Sequence, residues 1–123
     1  MSSTLVSPTV KQIAVIGSGT MGSGIAQVAA IAGYDVFMND VDQKFVDKAQ
    51  KTIAGSLEKF VSKGKMSAED RDASLARLKT SVDLHELKNA DIVIEAISEK
   101  IELKLDLFKK LDSICKAETI FAS

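Results

Sequence analysis

The chain has 123 residues, of which 46% are hydrophobic and 27% charged, and its formal net charge is −1. This length and composition indicate one globular domain of ordinary soluble type. The nearly balanced charge excludes a broad basic surface for nucleic acid or an anionic membrane. The single cysteine, Cys115, excludes an internal disulfide, and no apolar stretch approaches the roughly 20 residues that cross a membrane.

The first ten residues, Met1 to Val10, are mostly small and polar, with Leu5 and Val6 as adjacent apolar residues, and include the only proline. They lack the basic start and apolar middle of a secretory signal and the arginines of a mitochondrial presequence. We therefore expect residues 1–10 to form a flexible tail, residues 11–123 to form the domain, and the protein to be cytoplasmic.

Apolar runs and helical periodicity predict alternating strands and helices along the rest of the chain. The predicted elements are, in order, a strand Gln12–Gly17, a helix Thr20–Ala32 with Gly33 as its C-cap, a strand Tyr34–Met38, a helix Gln43–Ser62 ended by Gly64, a helix capped by Ser67 and running to about Leu78, a strand Thr80–Val82, a strand Asp91–Glu95, a helix from Ile101 to Cys115 and a strand Thr119–Ala122. The helix faces predicted to be buried are Met21, Ile25, Val28 and Ala32 in the first helix, Phe45, Ala49, Ile53, Leu57 and Phe60 in the second, Leu75 and Leu78 in the third, and Leu105, Phe108, Leu111 and Cys115 in the last.

This alternation is typical of an α/β fold with a doubly wound parallel sheet. Right-handed crossovers predict the strand order 3-2-1-4-5, with the first and fourth strands adjacent. The ligand crevice is then expected beyond the carboxyl ends of those two strands. Because the chain stops one residue after the last predicted strand, we expect the fold to be incomplete at its C-terminal end.

Residues 17–22 form the pattern G-x-G-x-x-G, between a predicted strand and a predicted helix. Gly17 would permit the tight turn, Gly19 would let the backbone approach a pyrophosphate, and Gly22 would let the helix pack closely. The N–H groups and positive dipole end of the helix would face the phosphates. Together with Ser18, Thr20 and Met21, these glycines are candidate cofactor-binding residues of a Rossmann domain.

Asp40 follows the second predicted strand, about 20 residues after the glycine motif, where a carboxylate can accept hydrogen bonds from a ribose diol. A carboxylate there would repel a 2′-phosphate, and its sequence neighbours Asn39 and Val41 include no arginine, so the pattern favours NAD over NADP. The alternatives are a glycine turn that binds nothing, an Asp40 that caps a helix or lies in a turn, an FAD-binding domain, and a methyltransferase that binds S-adenosylmethionine.

Three segments resemble the 3-hydroxyacyl-CoA dehydrogenases, which include bacterial 3-hydroxybutyryl-CoA dehydrogenases. They are Ile16 to Gln27 (IGSGTMGSGIAQ), Asp91 to Lys104 (DIVIEAISEKIELK) and Leu111 to Ser123 (LDSICKAETIFAS). The resemblance implies hydride transfer between NAD and the 3-position of an acyl-CoA, in fatty-acid or butanoate metabolism. It also implies that the whole protein is a homodimer with an acyl-CoA substrate.

The same resemblance assigns further residues. It implies that Glu99 and Lys104 contact NAD and that Ser56 and Lys63 lie near the CoA moiety. Family members often carry asparagine where this chain has Lys100, which puts the local hydrogen bonding in doubt. From spacing alone, a solvated helix face explains Lys59, Lys63 and Lys65 better than CoA binding does. Ser56 can likewise be a surface hydroxyl, Glu99 a helix-capping acid and Glu95 a strand-end acid.

The resemblance places the catalytic serine, histidine and glutamate, and a helical second domain, after residue 123, so we expect this chain alone to be inactive. Its only histidine, His85, lies in a polar stretch and is expected at the surface. Cys115 is expected to be a small packing residue, and no cluster has metal-ligand spacing. Two hypotheses remain: the NAD-binding portion of a dehydrogenase, and a free-standing dinucleotide-binding regulatory module.

Overall fold

The computed structural model describes residues 10–97, 101–116 and 119–122, with the backbone alone at residues 101–106 and 108. The tail predicted for residues 1–10 lies outside this description except for Val10. The strands are β1 Gln12–Ile16, β2 Asp35–Asn39, β3 Leu78–Ser81, β4 Ile92–Glu95 and β5 Ile120–Ala122. The helices are α1 Thr20–Ile31, α2 Gln43–Ser62, α3 Ala68–Arg77 and α4 Ile101–Ile114, with a short 3-10 helix at Leu84–Leu87.

The five strands form one parallel sheet in the order β3-β2-β1-β4-β5, which confirms the predicted topology. The central strand β1 pairs with β2 on one side, where Ile16 lies opposite Asn39. On its other side β1 pairs with β4, where Ile16 lies opposite Glu95. The carboxyl ends of β1, β2 and β4 therefore meet at one edge of the sheet, and the loops that follow them surround the predicted crevice.

Buried side chains fill both faces of the sheet. One cluster joins β1 and β2 to α1 and α2, and its members include Val15, Ala26, Met38, Ile53 and Leu57. The second cluster lies on the other face, beneath α4 and the 3-10 helix: Ala14, Ile16, Leu87, Ala90, Val93 and Leu111. Because β1 contributes alternate side chains to both clusters, it is covered on both faces, as central parallel strands are.

The face of α1 that packs on the sheet differs from the predicted one. Met21 and Val28 are 66% and 68% exposed, so the prediction that they are buried is wrong. The residues of α1 that are buried are small, namely Gly22, Ser23, Ala26, Ala29 and Ala30. Small side chains let the helix axis approach the strands closely, and the opposite face then carries the larger residues outward. Helical periodicity alone does not distinguish these two faces, because both are apolar.

Phe45 is a second correction. It is 43% exposed, and α2 buries Val46 in its place, together with Ala49, Ile53 and Leu57. The latter three are buried as predicted, and Phe60 and Leu75 pack partly buried against the first cluster. In α4, Leu111 is buried and Cys115 packs partly buried, whereas the predicted side chains Leu105 and Phe108 lie outside the described residues.

The ends of several elements also differ. Gly17 and Tyr34 lie outside β1 and β2. Leu78 was expected at the end of α3, but it begins β3, where it is buried opposite Val36. Gly33 was predicted as the C-cap of α1, but the C-cap is Ala32. Gly33 is the next residue and has a φ of +106°. The 3-10 helix was not predicted, because its four residues, Leu84–Leu87, are too few to show a helical period.

Candidate functional site

The turn after β1 requires glycine at its first position. Gly17 has a φ of +102°, a conformation that residues with a Cβ rarely adopt. A Cβ there would lie 3.0 Å from the carbonyl oxygen of Ala96. The Gly17 N–H donates to the carbonyl oxygen of Asn39 at 2.8 Å. The turn is therefore hydrogen-bonded to the end of β2 and packs against the residue that follows β4.

The other two glycines of the motif have different surroundings. A Cβ on Gly22 would lie 1.7 Å from the carbonyl oxygen of Gly17, so the start of α1 can press against the turn only at a residue without a side chain. A Cβ on Gly19 would meet nothing within 4 Å. Gly19 therefore faces open space, as expected where a ligand approaches the backbone.

The N-terminus of α1 is arranged to receive an anion. Its N-cap is Gly19, no side chain accepts a hydrogen bond from the cap N–H groups, and its first turn carries no acidic residue. The first N–H groups of a helix have no partner within the helix and point along its axis at the positive end of the dipole. Phosphate oxygens are suitable acceptors for such groups.

Asp40 lies directly after β2 and beside this turn. Its Oδ2 atom accepts hydrogen bonds from the Ser18 N–H at 2.9 Å and the Ser18 hydroxyl at 2.6 Å, and its Oδ1 atom accepts one from the Val41 N–H at 2.7 Å. The N-cap of α2 is Asp42, whose side chain accepts from the Lys44 N–H. Asp40 is therefore not the helix cap, which removes one alternative explanation for it.

The electrostatics of Asp40 favour a carboxylate. Partial burial acts to raise its pKa, but the hydrogen bonds from Ser18 and Val41 outweigh burial and hold the pKa below the ordinary value. Hydrogen bonds donated to the charged form of an acid have this effect. Asp40 is therefore ionised at neutral pH and acts as an acceptor of hydrogen bonds.

Two recesses adjoin Asp40. One, of about 380 Å³, lies between α1 and α2 and is lined by Ser18, Gly19, Thr20, Ser23, Asp40, Phe45, Lys48, Ala49 and Thr52. The other, of about 260 Å³, is mostly apolar and is lined by residues that include Ile16, Val41, Val82 and Ile97. These three features match the parts of an adenosine diphosphate group. The apolar recess suits the flat adenine ring, the Asp40 carboxylate suits the ribose diol, and the N-terminus of α1 suits the two phosphates.

Lys48 was not identified from the sequence. The packing of α2 against α1 places it in the lining of the recess that Ser18 and Asp40 also line. Met21, which the motif included, instead lines an apolar groove with Ile25 and Val28. The structure therefore places Met21 away from the recess at Asp40, whereas Gly17, Ser18, Gly19, Thr20 and Gly22 lie at the turn.

The residues expected near CoA lie on α2, outside the recess at Asp40. The Ser56 hydroxyl accepts a hydrogen bond from Gln27 Nε2 at 3.0 Å, which joins α2 to α1. Lys63 is the exposed C-cap of α2. Glu99 and Lys100 lie outside the described residues. Lys104 belongs to α4, but its side chain is not among those described.

The surroundings of His85, Cys115 and Glu95 indicate structural roles. His85 is exposed in the 3-10 helix, and its Nδ1 lies 3.0 Å from Asp83 Oδ1. Cys115 Sγ lies 3.6 Å from the Leu87 carbonyl oxygen, and burial raises the pKa of its thiol, so it packs as expected. Glu95 is buried at the end of β4 and accepts from the Ile97 N–H.

Within the described part of the chain, no group of histidine, cysteine and acidic side chains could hold a metal ion. In that same part of the chain, no helix combines the length and apolar character that a membrane crossing needs.

The parallel sheet, the glycine turn and the acid after β2 define a dinucleotide-binding domain of the Rossmann class. Residues 12–123 match the family described as the NAD-binding domain of 3-hydroxyacyl-CoA dehydrogenase. The chain belongs to this family. The match confirms the family predicted from the three segments, and it confirms NAD as the cofactor.

Proteins similar to this chain are named as dehydrogenases. The chain is 42% identical over 114 residues to 3-hydroxyadipyl-CoA dehydrogenase of Escherichia coli K12, covering 93% of this chain and 24% of that protein. It is 44% identical over 114 residues to a probable 3-hydroxybutyryl-CoA dehydrogenase of Bacillus subtilis, covering 93% of this chain and 40% of that protein. The crystal structure of (S)-3-hydroxybutyryl-CoA dehydrogenase from Ralstonia eutropha superposes with a TM-score of 0.88 at 37% identity, covering 93% of this chain and 41% of that one. The chain thus spans less than half the length of these proteins.

Proposed function

We propose that Asp40 and the turn Gly17–Gly22 bind the adenosine and pyrophosphate portions of NAD. The observation that carries this proposal is the contact of Asp40 with the turn itself, through Ser18 at 2.6 and 2.9 Å. This contact puts the acceptor for a ribose diol next to the helix N-terminus that would receive the phosphates. Thr20 lines the same recess.

Discrimination against NADP follows from the charge of Asp40. Hydrogen bonds keep its pKa low, so a 2′-phosphate would meet an ionised carboxylate at close range, which is unfavourable in a partly buried site. The positive charge of Lys48, which lines the same recess, would attract a 2′-phosphate. It would also attract the two phosphates that NAD and NADP share, so it does not reverse the preference. NAD is therefore the preferred ligand.

The proposed reaction of the whole protein is the interconversion of a 3-hydroxyacyl-CoA, such as 3-hydroxybutyryl-CoA, and the 3-oxoacyl-CoA. Bound NAD supplies the hydride acceptor or, when reduced, the donor. The family and the names of the relatives support this assignment. In this proposal Glu99 and Lys104 add contacts to NAD, while Ser56 and Lys63 contact CoA. None of the residues that the structure describes is proposed as catalytic, so we expect this chain alone to bind NAD without turnover.

Three properties of the whole protein complete the proposal. It acts in the cytoplasm, in fatty-acid or butanoate metabolism, and it is a homodimer. The metabolic role and the homodimer rest on the family resemblance, and the location rests on the single cysteine, Cys115, which suits a reducing compartment. Fractionation and sizing chromatography of the whole protein test the location and the oligomeric state.

A titration with NADH and NADPH, followed by nicotinamide fluorescence, tests the cofactor site. We expect the chain to bind NADH more tightly than NADPH. Asp40→Asn should weaken NADH binding tenfold or more, since charged acceptors contribute about 1.5–3 kcal/mol per hydrogen bond, and it should narrow the preference for NADH.

Asp42→Asn is the matched control. It removes the same charge two residues away, and asparagine still caps α2, so it should bind NADH within about twofold of the unmodified chain, the limit set by screening of an exposed charge. Equal binding of NADPH and NADH, or equal losses in the two variants, would contradict the proposed site. Far-ultraviolet circular dichroism verifies that both variants are folded.

A further inference from the structure

Most hydrogen-bonding capacity of the Asp40 carboxylate is already used. Each carboxylate oxygen accepts about two hydrogen bonds. Oδ2 accepts two, from the N–H and hydroxyl of Ser18, and Oδ1 accepts one, from the Val41 N–H. One acceptor position remains on Oδ1. A ribose diol carries two O–H donors, so Asp40 alone cannot accept both without losing a contact that the structure shows.

The Ser18 hydroxyl supplies the missing acceptor. An ionised carboxylate has no hydrogen to donate, so the hydrogen in the 2.6 Å contact with Asp40 belongs to Ser18. With that hydrogen committed, the Ser18 oxygen retains lone pairs that can accept. Ser18 lines the same recess as Gly19 and Asp40, so these lone pairs lie beside the expected position of the ribose.

We propose that Ser18 and Asp40 together form the ribose-binding acceptor, with one hydroxyl of the adenosine ribose donating to Asp40 Oδ1 and the other to Ser18 Oγ. This inference rests on the proposed binding of NAD at this site. It makes Ser18 a determinant of nucleotide specificity, because its hydrogen is held by Asp40 and cannot be donated to a 2′-phosphate. It also requires no rearrangement of Asp40 when the nucleotide binds.

The surroundings of Ser18 support a fixed geometry. Ser18 is only 7% exposed, and its backbone N–H donates to the same Oδ2 atom as its hydroxyl. Lys48 of α2 lines the same recess. A hydroxyl in such a position keeps one orientation, which is what discrimination between ribose hydroxyls needs.

Ser18→Ala and Ser74→Ala form a matched pair for the test. Both remove a buried hydroxyl, but the Ser74 hydroxyl donates to the Asp70 carbonyl oxygen within α3 and does not line the recess. We expect Ser18→Ala to weaken NADH binding about tenfold, the equivalent of one hydrogen bond, and Ser74→Ala to stay within about twofold. Ser18→Ala should also lower the NADH-to-NADPH preference.

Deoxy forms of the ligand locate the contact. NADH lacking the 2′- or the 3′-hydroxyl of the adenosine ribose should bind the unmodified chain less tightly. For one of the two, this loss should shrink to less than about twofold in Ser18→Ala, because its protein partner is gone. Equal losses in both chains for both deoxy forms, or tighter NADH binding by Ser18→Ala, would overturn the inference.

A measurement without nucleotide separates the two proposals. The carboxyl carbon of Asp40, followed by nuclear magnetic resonance against pH, should titrate at higher pH in Ser18→Ala than in the unmodified chain or in Ser74→Ala. If NADH does not bind the unmodified chain, the proposed function fails and the ribose contact fails with it. If NADH binds and the pKa of Asp40 does not move, the inference alone fails.

Discussion

Gly22 and Gly24 lie two positions apart in α1 and differ in what surrounds them. A Cβ on Gly22 would lie 1.7 Å from the Gly17 carbonyl oxygen, whereas a Cβ on Gly24 would meet nothing within 4 Å. Gly22→Ala must therefore separate the helix from the turn. We expect it to reduce the free energy of unfolding by about 3 kcal/mol, the upper range for overpacking, and to abolish NADH binding.

Gly24→Ala is the control within the same helix. It adds the same methyl group in open space and removes a flexible glycine, so it should stabilise the chain by about 0.5–1 kcal/mol and leave NADH binding unchanged. Urea unfolding followed by circular dichroism measures both effects. If Gly22→Ala and Gly24→Ala had similar free energies of unfolding, the helix could move away from the turn at little cost, and the expected destabilisation by Gly22→Ala would be wrong.

At this scale the sequence predicted the types of residue but not all of their contacts. The glycine spacing predicted the turn, because Gly17 has a positive φ there and Gly22 packs against its carbonyl oxygen. The contact of Ser18 with Asp40 and the place of Lys48 in the lining of their recess depend on how the turn approaches β2 and how α2 approaches α1. No local pattern encodes those distances.

Ser67 determines where α3 begins. Its side chain accepts a hydrogen bond from the Asp70 N–H at 3.0 Å, which confirms the predicted cap. Ser67→Ala leaves this N–H without its acceptor, and we expect a loss of about 1 kcal/mol in the free energy of unfolding. Ser67→Asp keeps an acceptor at the cap and should unfold near the urea concentration of the unmodified chain. A loss of equal size in both variants would assign the effect to the hydroxyl itself.

Among the elements, strands and helices were predicted more accurately than their ends and faces. The alternation of apolar strands and periodic helices is a local property, so all nine major elements appear in the predicted order. Which face of α1 is buried is decided by the sheet, which requires small residues such as Ala26 and Ala30 against it. The end of α3 is likewise set by pairing of Leu78 with Val36, a contact between distant parts of the chain.

Asp91 connects several parts of the whole molecule. Its Oδ2 atom accepts from the N–H groups of Lys11 and Gln12 at the start of β1, and its Oδ1 atom lies 2.5 Å from Lys116 Nζ after α4. Its backbone carbonyl accepts from the Ile120 N–H of β5. One residue thus joins the central strand, β4, the edge strand and the last helix.

These contacts make global stability depend on pH. The hydrogen bond from Lys116, and then those from Gln12 and Lys11, lower the pKa of Asp91 to about 2, below the value near 4 of an unfolded chain. The stabilisation is therefore complete above about pH 4 and is lost as the pH falls through about 2. With Asp91 18% exposed, we expect Asp91→Asn to cost about 1–2 kcal/mol at pH 7.

Thermal unfolding at several pH values measures this effect. The difference between Asp91→Asn and the unmodified chain should be constant from pH 7 to about 5 and should shrink towards about pH 2. Asp112→Asn, which removes an exposed carboxylate from α4, should change stability by less than about 0.5 kcal/mol throughout. If Asp91→Asn remained less stable than the unmodified chain at about pH 2, the loss of stability would not come from the ionised form of Asp91 and its contacts.

The sheet order has a consequence for how the chain folds. β2 and β3 follow β1 in the first two-thirds of the chain, but the other edge of β1 waits for β4, since Ile13 pairs with Ile92. Closing so long a loop costs more conformational entropy than closing the shorter crossover from β1 to β2 and slows folding. During synthesis on the ribosome, β1 emerges before β4 and therefore has unpaired N–H and C=O groups along one edge until β4 has been made. An unpaired strand edge can pair with another chain, so we expect the domain to be most prone to aggregation in that interval.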